Sequence, residues 1–403
     1  MLQTNKILLV MPHMIGGGAE RVGALLMNSF ANRGYKTEVL LTSDRANDVV
    51  RCDLDDKTTL TLLPEELGPD SFAQKIKYSV LLKIFAQVFC NLFELFRLPV
   101  PADLAKASLY VQYHREIGRL REKLKNEPDT AVIAFLQPAI PIVMLACRKL
   151  PNRVIFSERG DPARLMRKRY GRKFIEKYYP RADAAVFQTE AARAVYPESV
   201  AAKGVVIPNP LKSGLPQPYT GEREKRVAAF CRISPEKNLT MLIKAFSLFF
   251  KTHPDYSLRI YGDAANDEGK NEAERLRSLI AENGLSTAVQ MLPFSADVHG
   301  EILRDMMYVN SSDREGLSNA MLEALAIGLP SICTDCPVGG ARAVIRSEEN
   351  GLLIPVGDVE ALRLAMERIA DDKALRDKLS ANASLLREEY SRETISEKWV
   401  ELL

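Results

Sequence analysis

The feature that most constrains the fold of this chain is a regular alternation of apolar, strand-like runs with helical stretches. In the first half the runs are KILLVMP (6–12), TEVLLTS (38–44), DTAVIAFLQ (129–137), NRVIFSERG (152–160), ADAAVFQT (182–189) and GVVIPNP (204–210). The second half repeats the pattern with RVAAFCRI (226–233), YSLRIYGDA (256–264), AVQMLPF (288–294), MMYVNSSD (306–313) and SICTD (331–335). Such alternation is typical of parallel sheets covered by helices, so each half is predicted to be a doubly wound, Rossmann-like α/β domain.

The length of the chain agrees with two domains. Its 403 residues are enough for two large cores. The tract LKSGLPQPYTGEREK (211–225) is polar and rich in Pro and Gly, which predicts the boundary there. We therefore expect domains at 1–210 and 226–385, with a helical insert at about 70–127 and a final helix at 386–403.

Charge and the first residues narrow the functional classes. The net charge is only +3, which argues against a general nucleic-acid binder. The opening MLQTNKILLVMP enters a strand without a basic region or a cleavage site. This pattern predicts a cytoplasmic protein whose cysteines are reduced.

The stretch 310–340 carries the most specific signal. Glu315 and Glu323 are separated by seven residues, and Glu315 follows the buried run MMYVNSSD. Ser318 and Asn319 are good helix N-caps, so Glu315 is predicted on a strand-end loop and Glu323 about one turn into the next helix. Two carboxylates beside a helix N-terminus suit a nucleotide-sugar, because carboxylates bind hydroxyl groups and free amides favour a phosphate.

Two cations precede this stretch on another strand-end loop. Arg232 ends the run RVAAFCRI, and Lys237 lies just before the helix LTMLIKAFSLFFKTH. At this spacing they can hold the two phosphates of a leaving diphosphate. A plain surface loop is the alternative.

The framed stretch around Glu315 resembles family 4 of the retaining glycosyltransferases, whose hallmark is Glu, seven residues, Glu. The resemblance implies two domains facing across a cleft, the GT-B architecture, with the last helix crossing back to an N-terminal acceptor-binding domain. It implies that Glu315 binds sugar hydroxyls with the amides near Gly316 and Leu317, and that Glu323 binds the ribose. Arg232, Lys237 and the helix start at Ser318 and Asn319 would stabilise the diphosphate.

Further residues of the predicted donor site lie at other strand ends. The strand at 256–264 ends in Gly262, and Pro293 and Phe294 could flank a nucleobase. In the first half, Gly16, Gly17 and Gly18 form a glycine-rich loop between a strand and a helix. Arg21 stands where a dinucleotide fingerprint needs its third Gly, which disfavours a dehydrogenase. A tight turn without a ligand is the alternative for this loop.

Glu158 and Arg159 lie at another carboxyl end in the first half, where open α/β sheets carry their sites. The stretch Ser-Glu-Arg-Gly-Asp-Pro resembles a subset of bacterial polysaccharide transferases, and Arg159 takes the place where relatives often have a His. Both residues are candidate catalytic residues. A salt-bridged loop is the alternative.

Two helical stretches suggest a membrane surface. In residues 80–97 the polar positions form one narrow stripe, which fits a core helix and a membrane-interfacial helix equally well. The stretch 164–179 concentrates basic residues within two turns (Arg167, Lys168, Arg169, Arg172 and Lys173). A solvated face and a surface for anionic lipid are its two interpretations, and the second is favoured.

Metal and redox motifs are weak. Asp53-Leu54-Asp55 matches a short pattern of metal-dependent sugar transferases by chance, and Cys333 and Cys336 form a lone C-x-x-C without a second pair. No metal and no cofactor is expected, with the nucleotide-sugar as a substrate.

Together with these features, the resemblance implies a retaining hexosyltransferase of surface polysaccharide synthesis, such as that of capsule or O-antigen, peripheral on the inner face of the cell membrane. It would move a hexose or N-acetylhexosamine from a nucleoside-diphosphate sugar, expected to be UDP-linked, to a hydroxyl of a glycan or lipid-linked acceptor. A nucleotide-sugar epimerase and a non-catalytic membrane-associated subunit of the same fold are the alternatives. The basic helix argues against the epimerase, and the intact Glu315, Glu323, Arg232 and Lys237 argue against the non-catalytic subunit.

Overall fold

The computed structural model describes residues 4–14, 17–42, 54–63, 88, 101–160, 162–167, 169–264 and 266–403. The chain divides into two compact units. The first comprises Met1–Pro210 together with Ile395–Leu403, and the second comprises Leu211–Thr394. The boundary along the chain lies between Pro210 and Leu211, at the start of the polar tract 211–225.

Seven described strands form one parallel sheet in the first unit, in the order β3-β2-β1-β4-β5-β6-β7. Their bounds are β1 Lys6–Met11, β2 Lys36–Leu41, β3 Thr58–Leu62, β4 Thr130–Phe135, β5 Val154–Ser157, β6 Ala184–Phe187 and β7 Gly204–Val206. All six residues of β4 are buried. Continuous apolar strands of this kind are stable only where helices cover both faces of the sheet, as the sequence pattern predicted.

The helices of the first unit alternate with these strands, apart from the final one, which returns from the end of the chain. Their bounds are α1 Gly18–Asn32, α2 Ala102–Asn126, α3 Ala139–Ala146, α4 Pro162–Arg167, α5 Arg169–Tyr178, a 3-10 turn Tyr179–Arg181, α6 Glu190–Ala194 and α7 Glu198–Ala201. Helix α2 is kinked at Tyr113, whose backbone is not helical. The stretch 164–179, predicted as a single helix, is described as α4 and α5.

Six described strands form the parallel sheet of the second unit, in the order β10-β9-β8-β11-β12-β13. Their bounds are β8 Glu224–Phe230, β9 Ser257–Tyr261, β10 Val289–Leu292, β11 Asp305–Asn310, β12 Ser331–Thr334 and β13 Leu352–Ile354. Strand order reverses between β8 and β11, and ligands of open α/β sheets bind outside the carboxyl ends of the strands at such a point.

Helices again connect the strands of the second unit. Their bounds are a 3-10 turn Pro235–Lys237, α8 Leu239–Phe250, α9 Asp267–Glu282, α10 Val298–Ile302, α11 Asn319–Ala326, α12 Val359–Asp371, α13 Lys373–Ser384 and α14 Leu386–Glu389. The final helix, α15 Arg392–Val400, begins in this unit and ends in the first.

The insert predicted at about 70–127 falls largely outside the described residues. Residues 64–87 and 89–100 are not described, and they include almost all of the apolar stretch 80–97. Within the described part of the chain, no helix is both long and apolar enough to cross a bilayer.

The end of the chain completes the core of the first unit. Trp399 is fully buried, and its ring centroid lies 5.7 Å from that of Phe135 at the end of β4. Ile395, one turn earlier in α15, is buried in the same cluster. A large aromatic side chain that is wholly removed from water makes a major contribution to stability.

We expect Trp399→Ala to lower the free energy of unfolding of the first unit by about 3 kcal/mol or more, because it leaves a cavity beside Phe135. Urea denaturation followed by circular dichroism measures this loss. The control is Val195→Ala, which trims a 37% exposed side chain of the same unit and should cost no more than about 0.5 kcal/mol. Equal losses in the two variants would contradict the role of Trp399 in the core.

Candidate functional site

Two loops meet at the carboxyl ends of β8 and β11, where the strand order of the second unit reverses. The backbone N–H of Asp313 donates to the carbonyl of Glu236 at 2.9 Å. The Ser311 hydroxyl donates to the carbonyl of Lys237 at 3.0 Å. These bonds join the loop after β8 to the loop after β11, so charged residues on both are held in one place.

Lys237 and Glu315 form an ion pair at this junction. Their side chains are 16% and 21% exposed, and the Ser312 hydroxyl donates to the same carboxylate oxygen at 3.2 Å. Burial lowers the pKa of Lys237, but the charge of Glu315, the nearby Cys231 and the hydrogen bond to Glu315 together raise it by more, so the pKa is raised overall. The structure thus brings together two residues that were predicted to have separate roles.

Asn238 fixes the geometry of the junction. Its backbone is left-handed, with φ 44°, a conformation that Asn adopts more readily than most residues. Its side-chain oxygen accepts from the Met241 N–H at 3.1 Å and caps α8, while its amide nitrogen donates to Asp313 at 2.7 Å. Asn238 was not among the predicted site residues, although an Asn directly before a helix is a recognisable capping signal.

Arg232 lies on the same loop as Lys237 but is more open to solvent. Its guanidinium is 56% exposed and lies 3.7 Å from Glu236. An exposed pair at this distance contributes little to stability. Arg232 therefore remains available at the surface of the junction, while Lys237 is held within it.

The N-terminus of α11 lies next to Glu315 in the chain. Ser318 is the N-cap, and its hydroxyl accepts from the Met321 N–H and from the side-chain amide of Asn310 at the end of β11, both at 3.3 Å. Gly316 is packed closely against Gly340, where an added Cβ would lie 1.7 Å from the Gly316 carbonyl oxygen. Because Gly340 has no side chain, the loop that carries Glu315 can lie directly against the Gly340 backbone.

Glu323 lies in the second turn of α11 and is 4% exposed. Its carboxylate oxygen is 2.8 Å from Nε2 of His299, which is 3% exposed. The sequence placed Glu323 toward the crevice without a protein partner. His299 was missed because an isolated His in a short helix gives no sequence signal.

Gly262, Pro293 and Phe294 are at the ends of β9 and β10. Gly262 has φ 147°, and a Cβ there would lie 1.8 Å from the Cys231 carbonyl oxygen, so glycine is required by this close approach. Phe294 is 71% exposed, and its backbone N–H donates to Asp263 at 3.3 Å. An exposed aromatic ring at a strand end is able to stack on a base.

In the first unit, Glu158 is buried at the end of β5. Its carboxylate accepts from the backbone N–H groups of Arg159 and Gly160, at 3.1 and 3.2 Å, and from the Gln137 amide at 3.2 Å. Burial raises the pKa of Glu158 despite these bonds. Gln137, which also donates to the Tyr179 hydroxyl at 3.0 Å, was not found from the sequence.

Arg159 is also buried, and its guanidinium lies over two aromatic rings that are themselves in contact. Its carbon is 4.8 Å from the Phe135 ring centroid and 5.5 Å from that of Trp399. Nη1 donates to Asn209 at 2.8 Å. Burial lowers the pKa of Arg159 to about 9, and the charge of Glu158 partly offsets this effect. The side chain therefore stays charged at neutral pH.

The glycine-rich loop of the first unit is only partly described, since Gly16 lies outside the described residues. Gly17 is the N-cap of α1, and Gly18 is its first residue. A Cβ on Gly17 would lie 2.3 Å from a Glu20 carboxylate oxygen, and the other oxygen is 3.0 Å from Nδ1 of His13. The Glu20 carboxylate, in the first turn of α1, thus lies against the glycine-rich loop.

The cysteines near Glu315 are free thiols. Cys333 and Cys336 are both buried, and burial raises the pKa of Cys336 to about 11, which makes it a poor nucleophile at neutral pH. Among the described residues, no group of three or more His, Cys, Asp or Glu could hold a metal ion.

The basic stretch in α5 is partly neutralised locally. Arg172 and Lys173 are 69% and 50% exposed, and each lies within 3.2 Å of a Glu176 carboxylate oxygen. Lys168 lies outside the described residues, and only the backbone is described for Arg167 and Arg169.

Residues 217–385 match the family model described as Glycosyl transferases group 1. The match contains Arg232, Lys237, Glu315 and Glu323. An exopolysaccharide phosphotransferase of Streptomyces coelicolor is 31% identical over 68% of this chain and 28% of its own length. An uncharacterized glycosyltransferase of Haemophilus influenzae is 26% identical over 55% of this chain and 61% of its own length. The chain thus spans less than two thirds of these relatives.

Solved structures show the fold. The structure of Anabaena HepE in complex with UDP aligns with a TM-score of 0.75 at 17% identity, over 98% of both chains. A complex of S. aureus TarM that contains UDP aligns with a TM-score of 0.73 at 13% identity, over 99% of both chains. This chain therefore has the two-domain α/β fold of the GT-B type, as the sequence predicted, and residues 217–385 are similar to the group 1 glycosyl transferases. The assignment to family 4 stays a prediction.

We expect Lys237 and Glu315 to be energetically coupled. Lys237→Met and Glu315→Gln should each lower the free energy of unfolding by about 2 kcal/mol, because each leaves a mostly buried charge alone. The double variant should lose less than the sum of the two, and a double-mutant cycle by urea denaturation measures the difference. The exposed pair Lys225–Asp255, 57% and 53% exposed, is the control and should show a coupling under about 0.5 kcal/mol.

The coupling should also depend on pH in one direction. A Lys whose pKa is raised on folding contributes stability that is complete below its unfolded pKa, about 10.5, and that is lost as pH rises through the folded value. The coupling is therefore expected to be unchanged from pH 7 to 9 and to fall only above pH 10.5. A fall already between pH 8 and 9 would mean that Lys237 is not held charged by Glu315.

Proposed function

We propose that this protein is a retaining glycosyltransferase that moves a hexose or N-acetylhexosamine from a UDP-linked donor to a hydroxyl of a glycan or lipid-linked acceptor. The observation that carries the proposal is the Lys237–Glu315 pair. It lies where the strand order reverses, beside the capped start of α11, and inside the stretch that matches group 1 glycosyl transferases.

The pair combines the two groups that sugar transfer from a diphosphate needs. The Glu315 carboxylate accepts hydrogen bonds from sugar hydroxyls. The Lys237 ammonium ion, 16% exposed, lies close enough to the surface to share its charge with a diphosphate oxygen. The amides of Gly316 and Leu317 and the start of α11 add positive potential there.

The proposed bond changes are those of a same-face transfer. The bond between the anomeric carbon and the diphosphate oxygen breaks, and both electrons leave with the diphosphate. The acceptor oxygen forms the new bond on the same face, and its proton passes to the diphosphate oxygen. Lys237 and Arg232 stabilise the negative charge that develops on the leaving group, an interaction that is strongest in the transition state.

The donor nucleotide is proposed from known proteins of the same fold. Structures of Anabaena HepE contain UDP and UDP-glucose, and the pneumococcal O-GlcNAc transferase GtfA was solved with UDP and GlcNAc. Phe294 is proposed to stack on the uracil, Pro293 to flank it, and Glu323 to bind the ribose. Because Gly262 has no side chain, the backbone at the end of β9 can lie directly against Cys231.

The acceptor class is proposed from relatives in polysaccharide synthesis. A lipopolysaccharide core biosynthesis glycosyltransferase, LpsE of Rhizobium meliloti, is 29% identical over 44% of this chain. Glu158, Arg159 and the loop at Gly16, Gly17 and Gly18 are proposed to serve the acceptor and the reacting sugar. The Glu158 carboxylate is fixed at the end of β5 by the backbone N–H groups of Arg159 and Gly160 and by the Gln137 amide.

We expect Glu315→Gln and Lys237→Ala each to lower kcat by about 100-fold or more, because each removes a group that stabilises the transition state. The assay uses purified protein, UDP-sugars and a lipid-linked oligosaccharide acceptor, with and without EDTA. Nuclear magnetic resonance of the product gives its anomeric configuration. Retention of the donor configuration is expected, and an inverted product would overturn the retaining mechanism.

Matched surface variants serve as controls for this assay. Glu348→Gln and Lys373→Ala change exposed residues of the same unit, 58% and 76% exposed, and should leave kcat within about twofold. Circular dichroism verifies that all variants are folded. Near-normal turnover of folded Glu315→Gln and Lys237→Ala would refute the assignment.

Membrane association is proposed through the basic face of α5. Arg172→Ala with Lys173→Ala should weaken partitioning onto vesicles of phosphatidylcholine with about one third phosphatidylglycerol by about threefold, a modest effect because Glu176 already offsets part of the charge. Vesicle sedimentation measures it. Arg346→Ala with Lys373→Ala, a matched double change in the other unit, should have no effect. Equal partitioning of both double variants would show that α5 is only solvated.

A further inference from the structure

His299 and Glu323 form a buried polar pair that the proposed reaction does not explain. Both residues are less than 5% exposed, and Nε2 lies 2.8 Å from the carboxylate oxygen. Because a carboxylate oxygen only accepts, we assign the proton to Nε2 as the donor. A hydrogen bond between an imidazole and a carboxylate in such a dry place fixes the orientation of both groups.

His299 makes this bond with its other polar atom unused. Nδ1 is buried and has no hydrogen-bond partner among the described residues. The edge of the ring packs against Phe230, with centroids 5.4 Å apart at 80°. An unpaired buried nitrogen is costly, so a His at this position is not explained by packing alone. Among the described residues, the hydrogen bond to Glu323 is the polar contact that orients the His299 ring.

His299 also connects Glu323 to the loop that carries Phe294. That loop leaves β10 and runs directly into α10, whose second residue is His299. The Phe294 N–H is held by Asp263 at one end of the loop, and His299 is held by Glu323 at the other. The predicted base-binding ring and the predicted ribose-binding carboxylate are therefore joined through one hydrogen bond.

We infer that His299 is a positioning residue that holds the Glu323 carboxylate for the ribose 2′-hydroxyl and so makes the site select ribonucleotides over 2′-deoxyribonucleotides. This inference rests on the proposed nucleotide-sugar function and deepens it. A buried carboxylate that is not held by a donor turns away or takes up a proton. Either change removes an acceptor from the place where the ribose hydroxyl binds.

The test compares the affinities of two probes, UDP and 2′-deoxy-UDP, by isothermal titration calorimetry. The quantity of interest is the selectivity, the Kd of 2′-deoxy-UDP divided by that of UDP. For the wild-type protein we expect a selectivity of about ten or more, the usual effect of losing one hydrogen bond to a charged group. His299→Leu should bring the selectivity close to one by weakening UDP binding while hardly changing 2′-deoxy-UDP binding.

Two other variants separate positioning from packing. His299→Gln keeps an N–H near the position of Nε2 and should keep the selectivity. His299→Asn is polar, but its amide reaches only the region of Nδ1, so it should lose the selectivity as Leu does. It also serves as the loss variant if His299→Leu does not fold.

A matched control comes from the same unit. His253, just beyond the end of α8, pairs with Asp371, the last residue of α12, with Nε2 and the carboxylate oxygen 3.1 Å apart. His253→Leu should leave the selectivity unchanged. Glu323→Gln combined with His299→Leu should have the selectivity of Glu323→Gln alone, because the two residues act through one group.

The outcomes distinguish this inference from the function on which it rests. Loss of selectivity in His299→Leu and His299→Asn, with retention in His299→Gln, supports it. Selectivity that is unchanged in the folded loss variants would overturn it and leave UDP binding intact. If wild-type protein does not bind UDP, the proposed donor is wrong, and the inference is overturned with it.

Discussion

Two parallel strands that are neighbours in the sheet but distant in the chain, β8 and β11, determine where the charged side chains of the second unit meet. Because both strands end at the same edge, the loops that follow them are forced together, and backbone bonds such as Asp313 to Glu236 hold them there. Lys237 and Glu315 are 78 residues apart in sequence and in contact in space. The sheet therefore brings a cation and an anion together in a site that neither loop could form alone.

Because Lys237 and Glu315 carry opposite charges, their pairing also lowers the free-energy cost of burying them. A lone ammonium or carboxylate with so little exposure would be strongly destabilising, whereas the pair satisfies both charges. A site built in this way stays ordered while keeping groups that are able to rearrange toward a charged substrate. Arg232 supplies a further cation on the same loop without requiring the same burial.

The sequence was sufficient for the parts of the fold that depend on local patterns. Apolar runs of strand length predicted both sheets, and the rule that sites lie at carboxyl ends of strands predicted the loops of Lys237 and Glu315. Short, Thr-rich β3 lacked the apolar run that marks the other strands and was missed. His299 and Gln137 were missed for a different reason. Each forms a hydrogen bond with a residue more than 20 positions away in the sequence, and a local sequence pattern does not indicate such a partner. Likewise, Glu323 was predicted to face the crevice, but its contact with His299 was not, because the periodicity of a helix does not show which side chains pack on it.

The buried Trp399 has a consequence for the synthesis of this protein. The first unit consists of residues before 211 and after 394, so the whole second unit is translated between the two parts. At ordinary elongation rates this interval lasts on the order of tens of seconds. Throughout it, Phe135 and Arg159 are without the indole that covers them in the finished molecule. The unit whose sheet leaves the ribosome first is thus the last to have its core completed, and a nascent chain of this topology has an apolar face that a chaperone is suited to shield.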